Sequence, residues 1–393
     1  MQRINDRLIN FASHIDDNTI EQAQETASMP FVHPHVSLMP DAHLGKGSAI
    51  GTVIPTLGAV IPAAVGVDIG CGMIAARTSY SLSALEGRDL TELRTSVESA
   101  IPLSPGNYNK RTDRFPFTAK RIDELELLAL TTGTDLSHSP KWREQLGSLG
   151  GGNHFIELCV DERERVWLFL HSGSRGVGNK IAQKHIKIAQ NECVGVDLPN
   201  RDLAYLREYT EEFDEYIADL RWAQRFALLN RDEMMDRFMR AFAHWMGLSA
   251  DSGAAIEVDR INTHHNYTTQ EMHGGALVWL TRKGAIDARD GVMGLIPGSM
   301  GTRSYVVRGK GSVEGLCSAP HGAGRRFSRT KARQMFTADD LAAAMKGIEY
   351  RHGEAWVDEI PQAYKDIDQV MSDASDLVEI VHELRQILNV KGQ

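Results

Sequence analysis

Five short segments of this chain gather His, Cys or Asp, four of them among glycines. They are VGVDIGCGM (65–73), GGGNHFIE (150–157), LHSGSRG (170–176), NTHHNY (262–267) and APHGAGR (319–325). Glycine adopts left-handed backbone angles and lets the main chain approach a ligand closely. Polar side chains on turns that follow buried strands are typically aimed at a ligand. GSLGGGNHFIELCV and VWLFLHSGSRG each join a strand-like apolar run to such a turn. The fold must therefore end several strands in glycine turns.

The residue types define a chemistry. Asp68 and Cys71, in D-x-x-C spacing, can place a carboxylate and a thiolate on one side of a tight turn. A lone cysteine is more often a buried structural residue, and a lone histidine more often a satisfied core residue. His154, His171 and His265 stand in similar settings, and neutral imidazole is the commonest protein metal ligand. Together the five residues predict a divalent metal site. By softness a Cys/His/Asp set suits Zn first, with Mn or Fe also compatible. One thiolate could bridge two ions, which the spacing does not decide.

His321 is different, lying against small residues and followed by Arg325 and Arg326. Residues 301–335 hold eight Lys or Arg and one acid, Glu314, a local charge of +7. The bland reading is a solvated loop; the functional one is a phosphate-binding loop beside a nucleophilic or ligating histidine. The basic, aromatic run YNKRTDRFPFTAKR (108–121) suits a polynucleotide backbone. PGSMGTRS (297–304) is a plain β-turn or a phosphate cradle built from amides, Ser299 and Ser304. Absences narrow the field. There is no G-x-x-x-x-G-K-[ST], so no P-loop. GSRGVG (173–178) lacks dinucleotide-motif spacing, and no K-x-D-G supplies the lysine used by many covalent nucleotidyl ligases.

Composition sets the frame. The 393 residues, 42% apolar and 24% charged, suit two to three domains or one large one. A formal charge of −9 excludes a general basic coat for nucleic acid and leaves room for a local basic site. Four scattered cysteines, Cys71, Cys159, Cys193 and Cys317, make no disulfide framework and fit a reducing compartment. No apolar run reaches the roughly 20 residues of a membrane helix. MQRINDRLINFASHIDD does not read as a secretory signal, so a cytoplasmic protein is expected.

Residues 48–67 read as buried strands joined by tight turns, 82–100 as helix, and 104–122 as a polar loop. Residues 200–246 lack internal Gly and Pro until Gly247 and read as one or two long helices, a hairpin on the surface of the main fold. Residues 256–310 return to strands, and about 330–388 reads as mostly helical. Strand and helix signals interleave without a composition break. The expected fold class is α+β, one large domain over 1–393 with mixed sheets flanked by helices and a helical insertion at about 200–246.

PDAHLGKG (40–47), VGVDIGCGM, GGGNHFIE, LHSGSRG, HHNY, PGSMG and HGAGR occur in this order. Together they resemble the RtcB family of RNA-splicing ligases, from about residue 28 to the terminal VKG, most of all its shorter bacterial members. The resemblance implies an RNA ligase that uses GTP and two Mn²⁺ ions. It joins RNA 3′-phosphate or 2′,3′-cyclic phosphate ends to 5′-hydroxyl ends, in tRNA splicing or RNA repair, through a guanylylated histidine and an RNA-(3′)pp(5′)G end. Carried over by motif, His321 is that histidine. Asp68, Cys71 and His154 hold one ion; Cys71, His171 and His265 hold the other. Around the guanylate stand Asn153, His154, Phe155, Ile156 and Glu157, then His265 and Asn266, then Pro297, Gly298, Ser299 and Met300. Ser304, His321, Gly322, Ala323, Gly324 and Lys391 complete that set. RNA and GTP are the expected partners, with an archease-like activator as a further one, and a monomer is expected. One departure is Pro320, where the family often has Ser. The softness argument favours Zn and the resemblance Mn²⁺; the resemblance is followed. Two other readings share these residues: a dinuclear metal-dependent phosphoesterase, which has no need of a nucleotide-carrying His321, and a non-enzymatic nucleotide-sensing or RNA-binding module.

Overall fold

The β-branched, apolar runs form strands, and most of the strands assemble into two large sheets, with two further two-stranded pairs. The computed structural model describes residues 1–392. One sheet has six strands, in the order Gln2–Asn5, Leu8–Asn10, Val36–His43, Ile50–Thr56, Ala276–Lys283, Asn266–His273. The other has seven: Glu257–His264, Gly72–Ser81, Arg165–Ser172, Phe155–Asp161, Val378–Val390, Ser304–Gly309, Met293–Ile296. Every neighbouring pair in the seven-stranded sheet is antiparallel.

Side chains alternate faces along a strand, and the alternation divides the core. Phe155, Cys159, Trp167 and Phe169 join Met39, Val53 and Leu280 of the first sheet in an apolar layer between the sheets. Ile156, Leu158, Leu168 and Leu170 point the other way, onto Met234, Phe238 and Phe242 of a long helix. By the same period, Glu157 and His171 share the inter-sheet face with Phe155 and Phe169.

Three sequence expectations change. Residues 200–246 do not form a surface hairpin. They hold one helix, Glu211–Trp245, and most of it is buried against the seven-stranded sheet and the helix Arg175–Glu192. Thr210 caps it through the Phe213 amide, and Glu211, Glu212 and Asp214 fill its first turn, a charge placement that complements the helix dipole. Second, residues 330–388 are not mostly helical throughout. The short helices Arg329–Met335, Ala338–Ala344 and Ile367–Asp373 lead into the strand Val378–Val390, which lies inside the larger sheet. Third, residues 104–122 stop being a loop at Thr118, where the helix Thr118–Thr132 begins. The mixed α+β class stands. Among the described residues, no helix is long and apolar enough to cross a membrane.

Candidate metal centre and nucleotide cavity

Four glycine-framed or histidine-bearing turns meet at one end of the inter-sheet layer. Asp68 and Cys71 sit on the turn before Gly72–Ser81, and the Cys71 amide donates to the Asp68 carbonyl at 3.2 Å. His154 immediately precedes Phe155–Asp161, His171 lies near the end of Arg165–Ser172, and His265 links Glu257–His264 to Asn266–His273. The Cys71 Sγ lies 3.4 Å from His154 Nε2 and 3.2 Å from His171 Nε2. His171 Nε2 is 2.9 Å from His265 Nε2, and His154 Nε2 is 3.1 Å from Asp68 Oδ2.

The outer nitrogens explain why the inner ones are free to ligate. His154 Nδ1 donates to the Leu149 carbonyl at 2.9 Å and His171 Nδ1 to the Asn153 carbonyl at 3.2 Å. A carbonyl only accepts, so these contacts favour protons on Nδ1 and lone pairs on Nε2 once a cation takes the inner position; His154 Nδ1 also lies 3.1 Å from Arg175 Nη1. Burial first, then the neighbouring imidazoles, hold His171 well below the usual histidine range; burial, His321 and His171 do the same to His265. Burial pushes the Asp68 carboxyl up, but the His154 contact and the Arg175 charge outweigh it and leave Asp68 well below the carboxylate range. Burial and Asp68 push the Cys71 thiol up; a bound cation acts in the opposite direction. Gly173 makes room for Asp68, since a Cβ there would lie 2.1 Å from Oδ1.

Two ligand sets result, Asp68–Cys71–His154 and Cys71–His171–His265, each with its atoms within 4.8 Å of one another. They share the thiolate. Convergent lone pairs and a shared sulfur fit a pair of divalent ions. A third group, Asp161, Glu162 and His382, is already committed: Asp161 accepts from Arg165 and Trp167 at 2.8 and 2.9 Å.

His321 adjoins this centre, its ring 4.7 Å from that of His265. Its Nδ1 lies 2.6 Å from Asp41 Oδ2, and its backbone N–H donates to the same oxygen at 3.2 Å. Asp41 is fully buried. The approach is that of an ion pair rather than an aligned hydrogen bond, and the carboxylate charge beside Nδ1 favours a proton there, with Nε2 as the free nitrogen. Asp41 lies in PDAHLGKG, yet no role for it follows from the sequence, because its partner is 280 residues away.

A cavity opens beside His321. Asn153, Phe155 and Glu157 line one wall, the loop Pro297, Gly298, Ser299 and Met300 another, and Gly322, Ala323, Gly324 and Lys391 the rest. Arg329, Glu359 and Tyr364 also line it, without any sequence motif to mark them, as does His43 of PDAHLGKG. Several expected residues stand behind the cavity. Ile156 packs on the helix-facing side of its strand. The Ser304 hydroxyl accepts from the Gly298 amide at 3.3 Å and so supports the loop. Asn266 accepts from the Gly284 amide at 2.9 Å and donates to the Asp68 carbonyl at 3.3 Å. His154 and His265 belong to the metal sets.

The chain's end closes the cavity. Lys391 Nζ donates to Glu359 at 2.9 Å, both buried. Gly392 fits only as glycine, because a Cβ would lie 1.8 Å from the Gly150 carbonyl. Burial pushes Glu157 up to about 8 against the opposing charge of Lys391.

The local +7 over 301–335 is not a bare basic patch. Arg303 meets Glu383, Arg308 meets Glu379, Arg329 and Arg333 meet Asp358, and Arg325 meets Glu359, at 2.6 to 3.4 Å. Along 108–121, Arg121 pairs with Glu233 at 2.6 Å and Phe115 stacks on Phe117, while Lys110, Arg111 and Arg114 stay exposed.

Comparison with known proteins agrees with this geometry. A family model described as tRNA-splicing ligase RtcB matches residues 22–392. The RNA-splicing ligase RtcB of Escherichia coli (strain K12) is 45% identical over 393 aligned residues, covering 96% of this chain and 95% of its own. The tRNA-splicing ligase RtcB of Nanoarchaeum equitans (strain Kin4-M) is 28% identical, covering 96% and 92%. With almost its full length matched in this way, the chain belongs to the RtcB family, the RNA-splicing ligases.

Proposed function

We propose that this ligase joins RNA ends bearing a 3′-phosphate or 2′,3′-cyclic phosphate to 5′-hydroxyl ends, with GTP as the activating substrate and His321 as the carrier of GMP. The observation that carries the reading is the placement of His321. One ring nitrogen faces the Asp41 carboxylate, and the ring itself lies between the nucleotide cavity and the two metal sets.

The steps are those that the family resemblance implies, and the placement of His321 supports them. His321 Nε2 attacks the α-phosphorus of GTP; an N–P bond forms and pyrophosphate leaves. Asp41 holds the Nδ1 proton and stabilises the charge that develops on the ring. An oxygen of the RNA 3′-phosphate then attacks the same phosphorus and His321 leaves, giving RNA-(3′)pp(5′)G. The 5′-hydroxyl oxygen attacks the RNA phosphorus, a phosphodiester forms and GMP departs. A 2′,3′-cyclic end is first opened by water. Two Mn²⁺ ions, one on Asp68, Cys71 and His154 and one on Cys71, His171 and His265, would neutralise phosphate oxygens when bound. Such chemistry rests on positioning and charge neutralisation more than on proton transfer. Arg325 and Arg329 on the cavity wall would serve both.

The test uses end chemistry. RNA halves with a 2′,3′-cyclic phosphate and a 5′-hydroxyl should be joined only when GTP and Mn²⁺ are present. Release of phosphate without joining, and without GTP dependence, would overturn the reading in favour of a phosphoesterase.

Two further predictions concern the guanine. Lys391→Ala should weaken GTP use about 10-fold or more, the scale of one lost charged hydrogen bond, with metal content unchanged. Guanylylation kinetics and metal analysis check it; unchanged guanylylation removes Lys391 from the site. Guanine offers two N–H donors on one edge, and only an ionised carboxylate accepts both. Glu157 ionises at about 8, so the KM for GTP should fall as pH rises from 7 to 9, and Glu157→Gln should flatten that profile. The stability effect has the opposite sign. The unfolded carboxyl ionises near the ordinary glutamate value of 4.5, so the stability present below that pH is lost as pH rises towards 8. Glu157→Gln escapes this loss, on the order of a few kcal/mol, and should melt above the wild type at pH 9.

A further inference from the structure

The helix Glu211–Trp245 runs directly beneath the turn that carries Cys71. A Cβ at Gly70 would lie 2.8 Å from the Ala227 side chain and 3.0 Å from the Gln224 Cα. Three residues beyond Ala227, two polar side chains stand next to one another with no exposure at all, Asn230 and Arg231.

Their partners are the loops of the metal centre. Arg231 Nη1 donates to the Gly70 carbonyl at 2.7 Å and to the Ser172 carbonyl at 3.1 Å. Its Nε donates to Asn262 Oδ1 at 2.7 Å, and its Nη2 lies 3.1 Å from His264 Nδ1. Gly70, Ser172 and His264 are the chain neighbours of Cys71, His171 and His265. Asn230 reaches the remaining loop. Its Oδ1 accepts from the Gly147 and Ser148 amides at 2.7 and 3.2 Å, and its Nδ2 donates to the Ser148 and Gly173 carbonyls at 3.2 Å. That loop continues to Leu149, whose carbonyl holds the His154 ring.

All four hydrogen-bonding partners of Arg231 are neutral. Burying a guanidinium on neutral partners is costly, and a well-packed apolar residue often serves stability as well or better. What an apolar residue cannot do is fix several carbonyls at set angles, which the planar fork of arginine does. The segments so fixed are the turns at Gly70 and at Gly147–Ser148 and the ends of two strands, at Ser172 and His264. We propose that Arg231, assisted by Asn230, is the positioning residue that holds the ligand-bearing loops in mutual register and thereby sets the metal affinity of the centre. This inference rests on the reading of the cluster as a metal centre.

The test uses the full-length protein stripped of metal by chelation and titrated with Co²⁺ or Mn²⁺. Cobalt reports Cys71 through the thiolate charge-transfer band; calorimetry reports Mn²⁺. Arg231→Lys keeps the charge and loses the fork; Arg231→Met removes both. Folding is checked by circular dichroism before titration. Affinity should fall about 10–100-fold in both variants, the range seen when the partners of metal ligands are removed. The cobalt band should weaken, and the metal-induced rise in melting temperature should shrink. If Arg231→Met does not fold, Arg231→Lys carries the test. Wild-type affinity in the folded variants, whatever their melting temperature without metal, overturns the brace. Failure of the wild type itself to bind two ions, or to show a thiolate band, overturns the metal-centre reading instead.

Discussion

His321→Ala should abolish covalent labelling of the protein by GTP carrying label in its α-phosphate. In the wild type, incubation with Mn²⁺ should give a labelled band on a denaturing gel, stable to alkali and lost in acid, as a phosphoramidate bond requires. The loss should be complete, because the other nucleophiles that line the cavity have other partners: His171 stands in a metal set, His43 Nδ1 faces the Asp41 carbonyl and Lys391 donates to Glu359. Folding should survive the substitution. The His321 side chain retains some exposure, and the residue's backbone N–H, which remains in the variant, already donates to Asp41. Asp41→Asn refines the test. It preserves shape and removes the charge that favours the Nδ1 proton. By analogy with other histidines oriented by a carboxylate, labelling should slow by up to about 10⁴-fold without vanishing. A labelled band of undiminished intensity in His321→Ala would eliminate this nucleophile.

Much of this site is legible in the sequence because its chemistry is local. Each ligand lies on or beside a short turn whose glycines or paired histidines are visible as such, and the turns adjoin strands recognisable by β-branched, alternating residues. Asp41 is not legible in that way. It is one acid in an apolar strand, and its meaning depends on a histidine that folding brings to it. Asn230 and Arg231 are hidden for a related reason: on a helix of Leu, Met, Arg and Glu, two polar residues read as a solvated face. Only the burial of both helix flanks shows otherwise. The basic count over 301–335 misleads in the opposite direction. Charge summed along the chain ignores Asp358, Glu359, Glu379 and Glu383, which fold back onto those arginines. The end of the stretch 330–388, read as mostly helical, is instead the strand Val378–Val390. Its alternation fits a strand, and the position between two antiparallel neighbours decides the matter.

Cys71→Ala should cost the protein both metal ions rather than one. The second set, Cys71, His171 and His265, contains no other anionic ligand. Without the thiolate it offers two neutral imidazoles, too few for tight binding of a divalent ion. The first set falls to Asp68 and His154. The remaining ligands are held by backbone and helix contacts, His154 on the Leu149 carbonyl and His171 on the Asn153 carbonyl, so they cannot close inward to replace the sulfur. Affinity at each position should therefore fall by at least about 100-fold, beyond the loss caused by disturbing an outer partner. Metal stoichiometry after desalting reads the result directly, and circular dichroism confirms that the small change leaves the fold intact. His171→Ala makes the informative contrast. It touches only the second set, so one ion should remain on Asp68, Cys71 and His154. Two tightly held ions in Cys71→Ala, or loss of both in His171→Ala with one retained in Cys71→Ala, would place the bridge on some atom other than this sulfur.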